Sequence, residues 1–393
     1  MGRHAASYVR YLLDSLRKGT VGAAQVAEEL GLTTRRVRQL YSAYVRAWAE
    51  GKGPTWGPGH SGGGRLKSIP QTVAALWRKM LTAQPPASYS FAASEGLRRC
   101  GFNADRATVR RWALRENLAH LAPPHREPAS VRRWQCQEIG ALWQLDVTTH
   151  AWFGPEQASA PLFDILDDCS RVITGARLYA REDLLAYLDF LRRTFEEYGL
   201  PLALYVDYHS FFFSYVPDAL TYLGECLRLC DVSFRYAPTP QAKGKIERHH
   251  QFWQQRLPSY FSAEGIRHIE VANPHIEALR LHHNRHEIHR EIQMPPQEAW
   301  QRAQREHRTQ MRPCLRWAWW PYLWTVRTVS KVGLDQCVPA GTQRIKLRFP
   351  MGTRLTRCEH PDGSYTFLAN QIGQGGKPIV VLRLEGHPTP RKL

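Results

Sequence analysis

Apolar residues follow the helical period near the N-terminus, and the pattern predicts a pair of helices there. A short helix over residues 23–30 is predicted to end at Gly31, a residue suited to the left-handed conformation after a helix C-terminus. Thr33 is predicted to cap a second helix. The core-facing positions of that helix are predicted at Val37, Leu40, Tyr41 and Tyr44. This is the pattern of a helix-turn-helix.

A second pair of helices is predicted further along the chain by the same features. One helix covers residues 90–100, residues 101–103 form a turn, and another helix begins at Asp105 or Ala107. Its predicted core positions are Val109, Trp112 and Leu118. Prolines at 123, 124 and 128 end this block.

Strand-like and helix-like segments then alternate up to about residue 260, which is the pattern of an α/β domain. The predicted strands are residues 142–148, 160–166, 171–178 and 203–207. The predicted helices are residues 182–198, 217–230 and 244–256. A His/Arg-rich helix follows residue 270, and short strands with turn signals over residues 320–386 predict a small barrel.

These patterns predict a multidomain chain in which all-α modules precede a central α/β core and a C-terminal SH3-like β-barrel. The glycine- and proline-rich residues 51–67 and residues 125–137 are predicted linkers. The predicted domains are residues 1–50 and 68–124 for the two helical modules, 138–265 for the core, 266–315 for a helical extension, and 316–393 for the barrel and tail.

The charge of the chain is unevenly distributed. The 393 residues include 53 Lys+Arg and 35 Asp+Glu, a formal net charge of +18. Residues 1–135 hold 22 basic and 8 acidic residues, so this first third supplies +14 of the excess. A basic excess concentrated in one region favours a polyanion as partner.

We therefore expect both helical modules to bind double-stranded DNA. The residues predicted to contact it are Thr34, Arg35, Arg38 and Gln39 in the first module, and Arg106, Arg110 and Arg111 in the second. The alternative for the first module is a helical hairpin with a solvated basic face. For the second module, a purely structural helix pair is the alternative.

Other classes of protein are disfavoured by what the sequence lacks. No apolar run approaches the roughly 18 residues that a membrane-spanning helix needs. Residues 1–4 do not have the pattern of a signal peptide. The eight cysteines include no Cys-x-x-Cys pair, which argues against a zinc ribbon or a disulfide framework and indicates a reducing cytoplasm.

Three acidic residues have positions suited to chemistry. Asp146 lies inside an apolar strand, Asp207 ends another strand, and Glu247 lies in the first turns of a helix. Carboxylates that converge at strand ends repel one another, so a cluster of them requires Mg²⁺ or Mn²⁺. On spacing alone the alternatives stay open: a strand-end aspartate is often a turn residue, and Glu247 beside Arg248 is also consistent with a surface ion pair.

Three segments resemble the signature blocks of the DDE transposase and integrase catalytic core. They are Trp143-Gln-Leu-Asp146-Val-Thr148, Leu204-Tyr-Val-Asp207-Tyr-His-Ser210 and Pro240-Gln-Ala-Lys-Gly-Lys-Ile-Glu247-Arg248. Residues 163–171 resemble the second-to-third strand hairpin of that core, and residues 283–300 resemble the segment that follows it. The tripeptide 208–210, Tyr-His-Ser, departs from the usual pattern and indicates a remodelled loop after Asp207.

The resemblance implies an RNase H-like core and a transposase of a bacterial insertion sequence, nucleoid-associated in the cytoplasm. Asp146, Asp207 and Glu247 would be the catalytic residues and the ligands of two Mg²⁺ ions, for which Mn²⁺ would substitute. The reactions implied are hydrolysis at the transposon 3′ end and transesterification into target DNA, by a homo-oligomer assembled on DNA. A catalytically silent DNA-binding regulator and a nuclease without strand transfer are the alternatives.

Residues around the third block carry further expectations. Lys243 and Lys245 are expected to pair with phosphates, and Gln251 and Gln254 to line the DNA. His249 and His250 are expected to lie along DNA, while Ile246, Trp253 and Leu257 pack inward. Asp167 and Asp168 are interpreted as turn residues that bind backbone amides. The histidines at 282, 286 and 289 are interpreted as a polar, partly buried helix face.

Overall fold

The computed structural model describes residues 6–53, 56–57, 68–119, 135–216, 220–237, 244–340, 343–372 and 376–385. The chain divides into one unit over Met1–Pro70 and another over Gln71–Leu393. Within the described residues, no helix has both the length and the apolar composition needed to cross a membrane.

The described residues of the N-terminal unit form three helices, α1 (Ala6–Arg17), α2 (Ala23–Leu30) and α3 (Thr34–Ala49). Helix α2 ends at Gly31, which has a φ of 60°, and the Thr33 side chain accepts a hydrogen bond from the Arg36 amide at the start of α3. Both helix ends are where the sequence predicted them, because each is set by residues within one turn. The side chains of Val37, Leu40 and Tyr44 are buried against α1 and α2, and those of Thr34, Arg35, Arg38 and Gln39 are exposed.

Three more helices open the second unit: α4 (Gln71–Leu81), α5 (Tyr89–Cys100) and α6 (Arg106–Arg115). Gly101 ends α5 in the left-handed conformation, and Asp105 caps α6 by accepting a hydrogen bond from the Thr108 amide. Trp77 is fully buried and packs edge-on against Trp112. The side chains of Arg106, Arg110 and Arg111 point to solvent.

The core is a five-stranded mixed sheet with strand order β3-β2-β1-β4-β5. Its strands are β1 (Trp143–His150), β2 (Ala160–Asp167), β3 (Ile173–Leu178), β4 (Ala203–Val206) and β5 (Ser233–Tyr236). Strands β1, β2 and β3 pair antiparallel, whereas β4 is parallel to both β1 and β5. The helices α7 (Leu184–Tyr198), α8 (Tyr222–Leu229) and α9 (Gly244–Gln254) complete it. The α/β core predicted from the sequence is confirmed, and its sheet is mixed.

Two details of the core differ from the sequence prediction. Strand β5 was not predicted, because it is a four-residue edge strand in which exposed and half-buried positions alternate. The helix predicted over residues 217–230 begins later, at Tyr222, where the Thr221 side chain accepts a hydrogen bond from the Gly224 amide. Residues 217–219 lie outside the described part of the chain.

Helices α10 (Leu257–Glu264), α11 (Ile269–His286) and α12 (Pro296–Arg305) follow the core, and α11 covers the free edge of β3. Asn284 accepts a hydrogen bond from the Ile173 amide at 3.0 Å and donates one to the Ile173 carbonyl at 2.9 Å. Asn273 does the same with Leu178. Two asparagine side chains therefore satisfy backbone groups that an edge strand would otherwise expose.

Replacing Asn284 with alanine is expected to lower the free energy of unfolding by about 2 kcal/mol. The Ile173 amide would lose its partner while remaining buried, and an unsatisfied buried donor costs roughly 1–3 kcal/mol. Urea unfolding followed by circular dichroism measures the change. Asn103→Ala, at an exposed asparagine, is the control and should shift stability by less than about 0.5 kcal/mol. Equal effects of the two substitutions would contradict the edge-capping role.

The C-terminal region contains the short helix α13 (Trp320–Leu323) and six strands. The strands are β6 (Val326–Lys331), β7 (Cys337–Ala340), β8 (Gln343–Lys346), β9 (Arg354–Glu359), β10 (Tyr365–Leu368) and β11 (Val380–Leu384). Four strands form a sheet with order β11-β10-β9-β6, and β7 with β8 forms a separate hairpin. The predicted SH3-like barrel is not confirmed, because the described strands of the hairpin pack on the sheet through side chains without a closing ladder of hydrogen bonds.

Candidate active site

Asp146 and Asp207 lie on neighbouring strands of the core sheet. Asp146 is in the middle of β1, and Asp207 directly follows β4. The parallel pairing of β1 with β4 sets Trp143 beside Leu204 and Gln144 beside Tyr205. Continued by two residues, the same register brings Asp146 level with Asp207, and side chains that are level on adjacent strands point to the same face.

The buried Tyr187 on helix α7 lies close enough to both carboxylates for their charges to act on its hydroxyl. The Tyr187 hydroxyl donates a hydrogen bond to Glu182 Oε1 at 2.6 Å. Burial, this hydrogen bond and the negative charges of Glu182, Asp207 and Asp146 together raise the pKa of Tyr187. The negative charges of Asp146, Asp207 and Glu182 therefore all act on the Tyr187 hydroxyl. Sequence reasoning missed Glu182 and Tyr187, since only folding brings the start of α7 to this edge of the sheet.

The backbone after β4 orients Asp207. The His209 amide donates a hydrogen bond to Asp207 Oδ1 at 3.1 Å, which is a short turn of the kind that aspartate forms with the chain two residues on. The side chain of Asp207 is partly exposed, and so is that of Asp146, at 21%. Both carboxylates are thus open to solvent, and the turn holds Asp207 in place.

Helix α9 packs against strand β1 and includes Glu247, the third predicted acid. Ile246 and Trp253 are fully buried and anchor the helix, as predicted, and Leu257 just after it is also buried. Nδ1 of His250 lies 3.8 Å from Asp146 Oδ2. Glu247 precedes His250 by one helical turn, so the two share a side of α9, and the Glu247 side chain is exposed.

The described residues contain no group of three or more His, Cys, Asp or Glu side chains arranged to hold a metal ion. The three predicted acids are thus not gathered into one ready-made cradle. Three carboxylates without a counter-ion repel one another, which opposes such a cluster. The donor set nevertheless fits Mg²⁺ in its chemistry, because all three residues offer hard carboxylate oxygens and the continued β1–β4 register brings Asp146 level with Asp207.

The two histidines after Glu247 correct a sequence-based expectation. His249 and His250 were expected to lie along DNA, but both are buried. His249 Nδ1 pairs with Asp164, a fully buried residue that lies opposite Asp146 in the β1–β2 ladder. The reason is the helical period: Ile246, His249 and Trp253 occupy the inward face of α9. In this structure His249 and His250 tie α9 to the sheet, through Asp164 and Asp146.

The interpretation of Asp167 and Asp168 as structural turn residues is confirmed. Asp167 accepts hydrogen bonds from the Gly140 and Ser170 amides, at 2.8 and 2.7 Å. Asp168 accepts from the Cys136 amide at 2.8 Å and from Gln144 Nε2 at 2.6 Å. Both carboxylates are fully buried, so neither is available to a ligand.

Asp168 also forms an ion pair with Lys245, which was expected to bind phosphate. Lys245 Nζ lies 2.5 Å from Asp168 Oδ1, and the Lys245 side chain is only 16% exposed. Lys245 therefore has an internal partner in this structure, and its contact with DNA stays a prediction. Gln254 likewise donates to Thr148 Oγ1 at 3.1 Å, while Gln251 is exposed. Lys243 lies outside the described residues.

Sequence comparison relates this arrangement to known proteins. Over 141 residues the chain is 33% identical to the transposase for insertion sequence IS1202 of Streptococcus pneumoniae, which covers 34% of this chain and 30% of that protein. Over 306 residues it is 25% identical to the provisionally named transposase y4bF of Sinorhizobium fredii, which covers 72% of this chain and 65% of that protein. The chain resembles DDE transposases and integrases.

The matches of this transposase-like chain span less than two thirds of the length of either relative. No family model matches it. A chain of the simian T-cell lymphotropic virus intasome, solved with PP2A regulatory subunit B56 gamma, aligns with 73% of this chain and 93% of its own length at 14% identity and a TM-score of 0.37. The HTLV-2 integrase catalytic core with magnesium aligns with 43% of this chain and 99% of its own at 15% identity and a TM-score of 0.33.

The loop after Asp207, where the sequence departs from the resemblance, is rich in aromatic residues in this transposase-like chain. Phe212 is buried in the core, and its carbonyl accepts a hydrogen bond from the Tyr236 hydroxyl at 2.8 Å. Tyr208 stacks on Tyr236 with ring centroids 5.2 Å apart, and Phe213 packs edge-on against both. Aromatic packing therefore holds this loop.

Histidines with lowered pKa values in the helical extension of this transposase-like chain predict that its folded state loses stability in acid. Burial, and then the charge of His283, lower the pKa of His289 to about 4, whereas an unfolded histidine titrates near about 6.5. Between those values the unfolded chain binds a proton that the folded chain does not, so stability falls as the pH falls from about 6.5 to about 4. Burial lowers the pKa of His282 and His283 in the same direction.

The expected contribution of His289 over that pH window is about 2 kcal/mol after allowance for its partial exposure. Urea unfolding at a series of pH values measures it, and His289→Gln should flatten the curve. His286→Gln, at the exposed last residue of α11 three residues before the non-helical His289, is the control and should leave the curve unchanged. A wild-type free energy of unfolding that stays constant over this window would contradict the prediction.

Proposed function

We propose that this protein is a DNA transposase that binds transposon ends, cleaves their 3′ ends in a divalent-metal-dependent reaction, and transfers the new 3′ ends into target DNA. The observation that carries the proposal is that the β1–β4 register, continued by two residues, brings Asp146 in β1 level with Asp207 directly after β4. The similarity to transposases supports it. It acts as a homo-oligomer on DNA, in the bacterial cytoplasm.

Asp146, Asp207 and Glu247 would hold two Mg²⁺ ions, and Mn²⁺ would replace them. When bound, such ions supply charge stabilisation to the phosphodiester undergoing in-line attack and lower the pKa of the attacking hydroxyl. The protein itself holds the carboxylates of Asp207 and Glu247 in position. The His209 amide holds Asp207 Oδ1, and the buried Ile246 and Trp253 fix α9, so that Glu247 is presented on a rigid helix.

DNA binding would begin at the exposed faces of α3 and α6, each of which is a capped helix preceded by a tight turn. The proposed contacts are Thr34, Arg35, Arg38, Gln39, Arg106, Arg110 and Arg111, all of them outside the packed faces of their helices. Exposed guanidinium groups suit both phosphate and guanine, so these helices are suited to recognise a transposon end. We propose that both modules are helix-turn-helix domains.

The test is an end-cleavage and joining assay with labelled transposon-end DNA and Mg²⁺. Wild type is compared with Asp146→Asn and Glu247→Gln, which keep side-chain size but remove the charge. Joined product that is lost in both variants while DNA binding is retained supports the proposal. Binding without any wild-type cleavage would instead indicate a silent regulator, and cleavage without joined product would indicate a nuclease.

A further inference from the structure

A large cleft, which none of the three acids lines, lies between the core and the C-terminal sheet. Its volume is about 880 Å³. One wall is formed by the end of β3 and the first turns of α7, and the other by residues near Tyr322, His360 and Arg383. None of the residues proposed above to contact DNA lines this cleft.

The two walls are joined by buried tryptophans. Trp324 is 1% exposed and packs edge-on against Phe195 of α7, with ring centroids 5.6 Å apart. Trp320 Nε1 donates a hydrogen bond to Glu196 Oε1 at 2.7 Å. Trp324 also lines the cleft, so these contacts tie one of its lining residues to α7.

The lining of the cleft is basic. Five arginines contribute to it, namely Arg177, Arg181, Arg192, Arg193 and Arg383, together with three aspartates, Asp183, Asp189 and Asp362. The aspartates are already used by the protein. Asp189 accepts hydrogen bonds from the Tyr179 hydroxyl at 2.9 Å and from Arg193 at 2.7 Å. Asp183 caps α7 and pairs with Arg181, and Asp362 accepts from the Ser364 amide.

Two guanidinium groups, one on each wall, form no ion pair within 4.0 Å among the described residues, although Asp362 lies close enough to Arg383 for the arginine charge to lower the pKa of Asp362. Arg177, on β3, lies over the ring of Tyr179 at 5.8 Å. Arg383, on β11, is exposed. A guanidinium offers a planar fork of donors that matches a phosphate group, and the five arginines outnumber the three aspartates of the lining, so the cleft has an excess of positive charge.

We propose that this cleft binds the phosphodiester backbone of DNA through Arg177 and Arg383. The two guanidiniums belong to different walls of an 880 Å³ space, an arrangement that suits successive phosphates of a chain better than one small anion. The proposal rests on the proposed function only in taking DNA as the polyanion. It gives the protein a backbone contact that joins the core to the C-terminal sheet.

The experiment measures the affinity of the full chain for a fluorescent duplex as a function of KCl concentration, in EDTA so that no cleavage occurs. The cleft variant is Arg177→Gln with Arg383→Gln. The matched control removes two exposed arginines that do not line the cleft, by Arg305→Gln with Arg348→Gln. Because each lost phosphate contact reduces the slope of log K against log[salt] by about 1, the cleft variant should lose about 2 and bind about tenfold more weakly near 0.1 M salt.

A slope in the cleft variant equal to that of the control would overturn the proposal. A second arm titrates inorganic phosphate and a mononucleotide by calorimetry. If these bind in a cleft-dependent way while the slope for duplex is unaffected, the cleft is a small-anion site and the DNA proposal fails. A cleft variant with the expected loss, in a protein that never cleaves transposon ends, would leave this inference standing while the transposase proposal failed.

Discussion

Replacing Asp207 with asparagine is expected to slow transposon-end cleavage by about 10³-fold or more while leaving DNA affinity within about twofold of wild type. Asparagine keeps the oxygen that accepts from the His209 amide, so the local turn is preserved. It removes the negative charge that a hard cation requires. Loss of several kcal/mol of charge stabilisation corresponds to a factor of this size, because about 1.4 kcal/mol is tenfold in rate.

The measurement is single-turnover cleavage of labelled end DNA with Mg²⁺, alongside binding by anisotropy. Glu156→Gln, at an exposed carboxylate in the connection between β1 and β2, is the matched control and should cleave at the wild-type rate. Cleavage by the Asp207 variant at a rate near that of wild type would remove Asp207 from the site and break the proposed pairing with Asp146.

Replacing Asp168 with asparagine is expected to lower the free energy of unfolding by about 3–5 kcal/mol, the cost of breaking a buried ion pair from one side. The Asp168 carboxylate is fully buried and accepts hydrogen bonds from Lys245, Gln144 and the Cys136 amide. The side-chain NH2 group of asparagine would point an N–H donor at one of these three donors, which cannot accept it. Burial already lowers the pKa of Lys245, and the carboxylate is the partner that opposes this effect.

Guanidinium unfolding measures the change. Asp231→Asn, in the surface pair of Asp231 with Arg312, is the control and should cost less than about 0.5 kcal/mol, because the Asp231 side chain is 96% exposed. The double variant Asp168→Asn with Lys245→Met should recover part of the loss, since it leaves no buried charge without a partner. Equal stability of the Asp168 and Asp231 variants would mean that the buried pair does not hold α9.

The helix ends illustrate what was predictable from the sequence. Gly31, Thr33 and Asp105 each set a helix boundary through hydrogen bonds within one turn, so a short window of sequence carries the whole signal. The buried strands of the core were recognised for a similar reason, because β2 is apolar along nearly its whole length and is buried at every position. Strand β5 escaped prediction because it has only four residues at a sheet edge.

The side-chain partners in the candidate site were not predictable in the same way. Lys245 and Asp168 are 77 residues apart in the chain, and His249 and Asp164 are 85 apart. Sequence reasoning assigned Lys245 to DNA because a lysine at a helix entrance suits phosphate, and nothing local indicated that a buried aspartate would lie beside it. The catalytic roles of Asp146, Asp207 and Glu247 stay predictions until the substitutions are measured.

The sequence by itself determined the local elements, the basic excess of the first third, and the three acidic residues that suit metal-dependent chemistry. Each of these depends only on residue type and short-range spacing. Only the tertiary structure decided which charges are neutralised inside the protein and which face a cleft, as the contrast between Lys245 and Arg177 illustrates. The physical reason is that desolvation and pairing of a charge depend on neighbours brought close by the whole fold, often from more than 70 residues away in the chain.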